Sequence, residues 1–291
     1  THALIEPDVN FSRLSLFVCD EQQRFGVAQR SKVTDKGSGV DVLVMSATPI
    51  PRTLSLIFYG DLDISTILDK PKSRLEIMTR LVPENKYDGM LNFVKNEISS
   101  GRQAYFVCPK IEGDEEGEVM SVTELYDDLT VRLPGVRFAL LHGKMKDAEK
   151  TRIMLEFKRG DYDALVSTTV IEVGVDVPNA SVMVIMNAER FGLSALHQLR
   201  GRVGRGEYQS YCFLTAKNLS GSAEPRLNAL TTISDGFKIS EIDFDMRGGG
   251  DLLGERQSGK FMGALGALKY EAQSIFLAKK LSDEDFSDPT N

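Results

Sequence analysis

Short apolar runs, rich in β-branched and aromatic residues, recur along the chain and predict buried β-strands. The predicted strands are Leu16–Cys19, Val42–Met45, Ala104–Cys108, Arg137–Leu141, Ala164–Val166, Val182–Ile185 and Tyr211–Leu214. Between several of them, apolar residues recur at helical spacing. In Lys86–Ser99 this spacing places one set of apolar side chains on a single face, namely Tyr87, Met90, Leu91, Val94 and Ile98. Val122–Leu133 and Lys146–Lys158 have the same period, and Asp147 favours the amino end of the last helix.

Strands that alternate with helices predict an α/β architecture with parallel sheets. Residues 1–70 supply too few elements for a complete sheet, whereas residues 71–215 supply a full α/β set. The composition around Pro71–Ser73 indicates a linker between these two segments. Residues 216–281 have a mostly helical pattern, interrupted by the glycines of Arg247–Gly250, and residues 282–291 form an acidic tail. The sequence therefore predicts four segments with boundaries near residues 70, 215 and 281.

The composition is that of an ordinary globular protein. Apolar residues make up 42% and charged residues 26% of the 291 residues, which is enough to build a packed core. The sequence has no apolar run of the roughly 18 residues that indicate a membrane span, and its first residues do not resemble a signal peptide. The three cysteines, Cys19, Cys108 and Cys212, lie in apolar runs without the spacing of a zinc site or a disulfide framework. We therefore expect reduced thiols, a cytoplasmic location, no membrane partner and a monomer.

Polar side chains follow three of the predicted strands directly. Asp20 and Glu21 follow the first strand, Ser46 and Thr48 follow the second, and Ser167–Thr169 follow a later one. Because ligands of parallel α/β sheets bind beyond the carboxyl ends of the strands, we expect one shared site there. An acidic pair after an apolar strand fits phosphoryl transfer, in which Asp20 would hold the Mg²⁺ shell and Glu21 would orient the attacking water. The dipeptide alone favours a solvated turn, because acidic dipeptides are common at turns.

The segment His197–Gly206 is more specific, because Arg200, Arg202 and Arg205 alternate with glycines. Glycine lets the backbone approach a ligand closely, and planar guanidinium groups match phosphate oxygens. An arginine that contacts the transferred phosphoryl group is worth about 10³–10⁵ in rate. The spacing therefore predicts a phosphate-binding segment rather than a general basic patch. The net charge of −7 argues mildly against non-specific nucleic-acid binding but does not exclude it, because charge placement matters more than the sum.

Taken in order, these segments resemble the motifs of superfamily 2 helicases in the form found in RecG. The matching segments are Thr1–Leu4 (the end of motif Ic), Asp20–Val27 (motif II), Ser46–Leu54 (motif III), Ser167–Pro178 (motif V) and His197–Gly206 (motif VI). The transcription-repair coupling translocase shares several of them. Tyr59–Asp63, Tyr105–Glu112 and Leu141–Lys146 favour the RecG type, and Asp235–Gly259 resembles the translocation element of both families.

The resemblance implies a RecA-like parallel-sheet domain as second helicase lobe, flanked by a partial first RecA-like lobe and a C-terminal, mostly helical translocation element. It implies ATP and Mg²⁺ as cofactors, with Asp20 binding the metal through water, and branched or duplex DNA as partner. Asp20, Glu21, Arg202 and Arg205 would be catalytic. The implied nucleotide-binding and coupling residues are Gln23, Ser46, Thr48, Gly174, Asp176 and Gln198. The implied residues for DNA binding and translocation are Arg52, Thr168, Arg247 and Gln257.

Three departures from the family pattern bear on activity. Gln23 stands where the family usually has His, and Gly249 stands where it often has Pro. The sequence contains no phosphate-binding loop of the form G-x-x-x-x-G-K-[ST]. We therefore expect an ATP-dependent helicase that remodels stalled forks and Holliday junctions, of which this chain alone is inactive as an ATPase. Two alternatives stay open, a fragment of the coupling translocase and a non-catalytic DNA-binding or docking module.

Overall fold

The chain folds into two compact units, residues 1–49 and 50–291, which we describe separately. A computed structural model describes Leu4, residues 8–20 and 39–46, Asp63, residues 65–67, 75–109, 121–168 and 175–217, Leu219, Gly221 and residues 223–247. The four-segment division of the sequence stays a prediction.

In the described part of the first unit, two strands form a parallel pair, as the sequence predicted. Strand β1 (Leu16–Cys19) pairs with β2 (Asp41–Val44), and Cys19 lies opposite Val44. Several apolar side chains of these strands are exposed; Leu16, for example, keeps 55% of its surface accessible.

The second unit is built on a parallel sheet of six described strands in the order β3-β8-β7-β4-β6-β5. The strands are β3 (Met78–Val82), β4 (Gln103–Val107), β5 (Phe138–Leu141), β6 (Ala164–Ser167), β7 (Ala180–Ile185) and β8 (Tyr211–Thr215). All the strands predicted for this region are confirmed within one or two residues at each end. Strand β3 was missed because it lies at the edge of the sheet, where exposed residues such as Met78 and Arg80 interrupt the apolar pattern.

Helices cover both faces of this sheet. Helices α1 (Tyr87–Ser99) and α2 (Val122–Arg132) cover one face, whereas α3 (Asp147–Arg159), α4 (Leu193–Arg200), α5 (Ala223–Thr232) and α6 (Gly236–Arg247) pack on the other. Side chains of the central strand β4 alternate between the two cores. Phe106 packs with α1 and α2, and Tyr105 packs with the opposite helices. The three helices predicted between strands are confirmed, and the sequence prediction did not include α4.

Local sequence signals explain where two of these helices begin and end. The Ser121 hydroxyl accepts a hydrogen bond from the Glu124 backbone, and the Glu124 carboxylate accepts one from Ser121 N, so α2 starts with a capping box. Helix α3 begins at Asp147, whose charge suits the amino end, and stops at Gly160 in the left-handed conformation. In the described part of the chain, no helix has the length and apolar character needed to cross a bilayer.

Candidate functional site

The structure describes part of the predicted site. The predicted residues within the described part are Asp20, Ser46, Thr168, Asp176, Gln198, Arg202, Arg205 and Arg247. The predicted residues outside it are Glu21, Gln23, Thr48, Arg52, Gly174 and Gln257.

In the first unit, Asp20 and Ser46 lie at the same edge of the sheet. Asp20 follows β1 directly, Ser46 follows β2 by two residues, and Met45 N donates a hydrogen bond of 2.7 Å to Cys19 O. Both residues are exposed. A carboxylate and a hydroxyl are therefore presented together beyond the carboxyl ends of parallel strands, where ligands of such sheets bind.

In the second unit, Arg205 and Asp176 connect two segments that are distant in sequence. Arg205 Nη1 donates to Asp176 Oδ1 at 3.3 Å, and Arg205 Nε donates to Gly201 O at 3.2 Å. The side chains remain 39% and 48% exposed. An exposed pair of this kind contributes about 0–1 kcal/mol, so an anionic ligand could displace the carboxylate at little cost.

The arginines lie at the amino edge of the sheet, away from Thr168. Helix α4 begins after the carboxyl end of β7 and ends before the amino end of β8, so Arg202 and Arg205 follow it at the amino edge. Asp176 precedes β7 and lies at that same edge. Thr168 directly follows β6 and therefore lies at the carboxyl edge. Within this unit, Asp176, Arg202 and Arg205 thus lie at the opposite end of the strands from Thr168.

Two glycines of the arginine segment are required by contacts inside the protein. A Cβ on Gly206 would lie 2.3 Å from Pro178 O, and one on Gly204 would lie 2.9 Å from the Ile77 side chain. Gly204 also has a φ of +76°, which favours glycine. We interpreted the glycines from sequence as space for a ligand. In the structure, these two let the segment pack against the chain on both sides, and that packing places Arg205 beside Asp176.

Arg200 differs from the other two arginines of the segment, because it is buried. It is 5% exposed, and its Nη1 donates to Leu230 O at 2.8 Å and to Ile233 O at 2.9 Å. Its Nη2 lies 2.9 Å from His197 Nδ1. Burial lowers the pKa of its guanidinium. Arg200 therefore joins the end of α4 to the end of α5, which leaves Arg202 and Arg205 as the arginines predicted to contact phosphate.

Tyr105 is a residue near this site that the sequence analysis did not single out as functional. Burial raises the pKa of its phenol, and the positive charges of Arg202 and Arg205 partly oppose that shift. Both guanidinium groups are therefore within electrostatic reach of the ring at the centre of the sheet. Of the remaining predicted residues, Gln198 is exposed on α4 and Arg247 is the last residue of α6.

Comparison with known proteins identifies the family. Residues 85–207 match the protein family described as "Helicase conserved C-terminal domain". The ATP-dependent DNA helicase RecG of Thermotoga maritima is 51% identical over 260 residues, which are 89% of this chain and 33% of that protein. RecG of Bacillus subtilis is 48% identical and is covered to 38%. The chain belongs to the RecG-type helicases of superfamily 2 and matches their C-terminal part.

A solved structure of RecG bound to a three-way DNA junction gives the same assignment, with 46% identity, a TM-score of 0.72, and coverage of 92% of this chain and 35% of that chain. Yeast Dbp5 bound to RNA, at 15% identity and a TM-score of 0.56, shares the fold alone. The high identity to RecG favours this family over the coupling translocase that the sequence left open. The chain spans about a third of the length of the RecG relatives it matches.

Proposed function

We propose that this chain is the part of an ATP-dependent DNA helicase that senses the nucleotide and transmits its state to branched DNA. The observation that carries the proposal is the Arg205–Asp176 pair, held at the amino edge by the packing of Gly204 and Gly206 in a chain 51% identical to a RecG helicase. Stalled forks and Holliday junctions are the substrates that the resemblance implies. The cytoplasmic location and the monomeric state remain predictions.

In this mechanism, Arg205 exchanges Asp176 for an oxygen of the γ-phosphate, and Arg202 supplies a second guanidinium. Charge that develops on the phosphoryl group is stabilised by groups already held in place, which need no reorganisation. Arg200 and the Ser194–Asp243 hydrogen bond of 2.8 Å connect α4 to α5 and α6. A change at the arginines is thereby passed to the helices that lead into the predicted translocation element.

ATP use follows from the family, and we propose Mg²⁺ as the metal. Mg²⁺ retains waters and binds through one or two carboxylates plus phosphate oxygens. An exposed Asp20 at a strand end fits that donor set, since it needs no cluster of protein ligands; the described residues contain no group of three or more His, Cys, Asp or Glu that could hold a metal. Bound Mg²⁺ would neutralise charge on the β- and γ-phosphate oxygens. Asp20 itself would orient the metal's water shell.

The DNA contact is assigned to the carboxyl edge, where Thr168 N donates to Leu141 O at 3.3 Å. Lys144 and Lys146 lie nearby in sequence, between β5 and α3, and both are exposed. Cationic and hydroxyl groups of this kind hold the phosphate backbone without reading its sequence. We therefore expect DNA binding that is strongly salt-dependent.

A chimera tests the proposed function. This chain would replace the matching residues of the Thermotoga maritima RecG, and ATP hydrolysis would be measured with and without a three-way junction. We expect DNA-stimulated hydrolysis, which Arg205→Ala lowers by about 10³-fold, since an arginine finger is worth 10³ or more. Arg159→Ala is the matched control, because Arg159 is an exposed arginine paired with Asp161 on α3. Equal rates for the two variants would contradict the role of Arg205.

The 291-residue chain alone, without the phosphate-binding loop motif, is expected to hydrolyse no more ATP than its Asp20→Asn variant. DNA-stimulated turnover that Asp20→Asn abolishes would show that this chain holds the phosphates by other groups.

A further inference from the structure

An aromatic ring with a guanidinium stacked on it lies at the amino edge. The Arg102 guanidinium carbon lies 3.0 Å from the centre of the Tyr208 ring. Tyr208 nevertheless keeps 49% of its surface exposed. A planar cation that covers one face of an aromatic ring is a favourable contact, and it leaves the other face for a second planar group.

Partly buried hydrogen bonds fix this stack in place. Arg102 Nη1 donates to Asn179 Oδ1 at 3.3 Å, and Asn179 Nδ2 donates to Gln103 Oε1 at 3.3 Å. Gln103 is 3% exposed, and its Nε2 donates to Tyr162 O at 2.9 Å. The orientation of Arg102, and with it that of the Tyr208 ring, is therefore connected to the core.

The stack lies beside the Arg205–Asp176 pair. Tyr208 is three residues after Arg205, and Asn179 is three residues after Asp176. Three residues span at most about 10 Å. Gly206, between Arg205 and Tyr208, packs on Pro178 O, so the two segments run together over this distance. The arginine pair and the stacked ring thus lie within about 10 Å of each other along the chain, a separation that a nucleoside triphosphate can cover.

We propose that the Tyr208 ring, backed by Arg102, is a stacking platform for the base of the nucleotide whose phosphates contact Arg202 and Arg205. The proposal rests on the proposed function and adds a contact for the base. Every base has a π-face, so stacking alone discriminates weakly between bases. The platform accepts the base of any nucleoside triphosphate, and selection of ATP needs other groups.

The chain has no tryptophan, which permits a direct test. Tyr208→Trp introduces a single tryptophan, and its fluorescence is followed while the 291-residue chain is titrated with ATP or with tripolyphosphate. We expect ATP to quench the fluorescence and tripolyphosphate, which has no base, to leave it largely unchanged. Tyr126→Trp is the control reporter, because Tyr126 lies on α2 and packs in the core on the opposite face. Its fluorescence should not respond to ATP.

Calorimetry separates a stacking role from a structural one. Tyr208→Ala is expected to weaken ATP binding by about tenfold, or ~1.4 kcal/mol, and to leave tripolyphosphate binding unchanged, while Tyr208→Phe restores ATP binding. If Tyr208 serves only to fix the loop, both ligands weaken together, or neither does, and the proposal is overturned. Absence of ATP-dependent quenching in Tyr208→Trp also overturns it. Failure of the proposed function would be seen instead in the chimera, as ATP hydrolysis that is indifferent to Arg205→Ala.

Discussion

Arg200→Met should destabilise the second unit strongly, although Arg200 lies in the same segment as the two arginines assigned to phosphate. Methionine keeps the apolar part of the side chain and removes both hydrogen bonds to Leu230 O and Ile233 O. Hydrogen bonds from a charged donor contribute about 1.5–3 kcal/mol each, and removal of the buried charge recovers part of this. We expect a net loss of about 2–4 kcal/mol, which at ~2–4 °C per kcal/mol lowers Tm by roughly 5–15 °C.

The assay is thermal and urea unfolding followed by circular dichroism, with Arg205→Met as the matched control. Arg205 is an exposed arginine in an exposed pair, so its removal should change stability by no more than about 1 kcal/mol. Hydrogen exchange at the end of α5 should accelerate in Arg200→Met alone. If the two variants have the same Tm, Arg200 is not a structural connection between α4 and α5, and its assignment is wrong.

Two further predictions concern local packing and charge. Gly206→Ala should lower the free energy of unfolding by about 1–3 kcal/mol, because its Cβ would clash with Pro178 O. Gly89→Ala in α1 should raise it by about 0.5–1 kcal/mol, because its Cβ would meet nothing within 4 Å and alanine favours a helix. Urea unfolding measures both changes. Burial raises the pKa of the Asp163 carboxyl group. Hydrogen bonds from the Arg137 side chain and backbone, together with the Arg137 charge, lower this pKa by more, so it lies below its ordinary value of 3.8. The folded-state pKa is thus depressed, so this stabilisation is complete above about pH 5 and is lost as the pH falls through and below 3.8. Asp163→Asn should therefore show a shallower loss of stability in acid than the original chain, and parallel pH curves would refute this.

Strands β4 to β8 were predictable because both of their faces are buried, which makes them continuous apolar runs. Edge strand β3 lacks this property, since its residues alternate between core and solvent. Helix α4 was not predicted, because the arginines and glycines at its end were interpreted as a phosphate-binding segment. Its buried Leu193, Leu196 and Leu199 recur every three residues, and Arg200 continues the same face. This helical spacing of buried positions was enough to predict α4 and to place Arg200 on its buried face.

Contacts through space explain what the sequence could not supply at the site. Arg200, Arg202 and Arg205 are chemically identical, and only the positions of α4 and α5 show that the first is buried. The role of Gly206 depends on Pro178, which is distant in sequence. The prediction of one shared site at the strand ends used only the rule for parallel sheets. The structure places Asp20 and Ser46 at the carboxyl ends of their strands, as that rule requires, but the rule does not place residues that follow a helix, and for that reason it missed the amino edge.

Thr168 provides a separate test of the carboxyl edge, because its buried hydroxyl makes no hydrogen bond within the described residues. The residue is 7% exposed, and its Oγ1 has no hydrogen-bond partner among the described residues. A buried hydroxyl without a partner costs about 1–3 kcal/mol, so Thr168→Val, which replaces the hydroxyl with a methyl group, should leave stability unchanged or raise it by up to that amount. The same substitution should weaken binding of a three-way junction if DNA binding exposes this buried hydroxyl and a phosphate oxygen accepts its hydrogen bond. Fluorescence anisotropy of labelled DNA measures this, with Thr130→Val on α2 as the control, since that exposed hydroxyl already donates to Tyr126 O. If Thr168→Val stabilises the fold and weakens DNA binding, the hydroxyl of Thr168 serves DNA binding and not folding. Unchanged DNA affinity in Thr168→Val would remove Thr168 from the interface and leave its buried hydroxyl without an explanation.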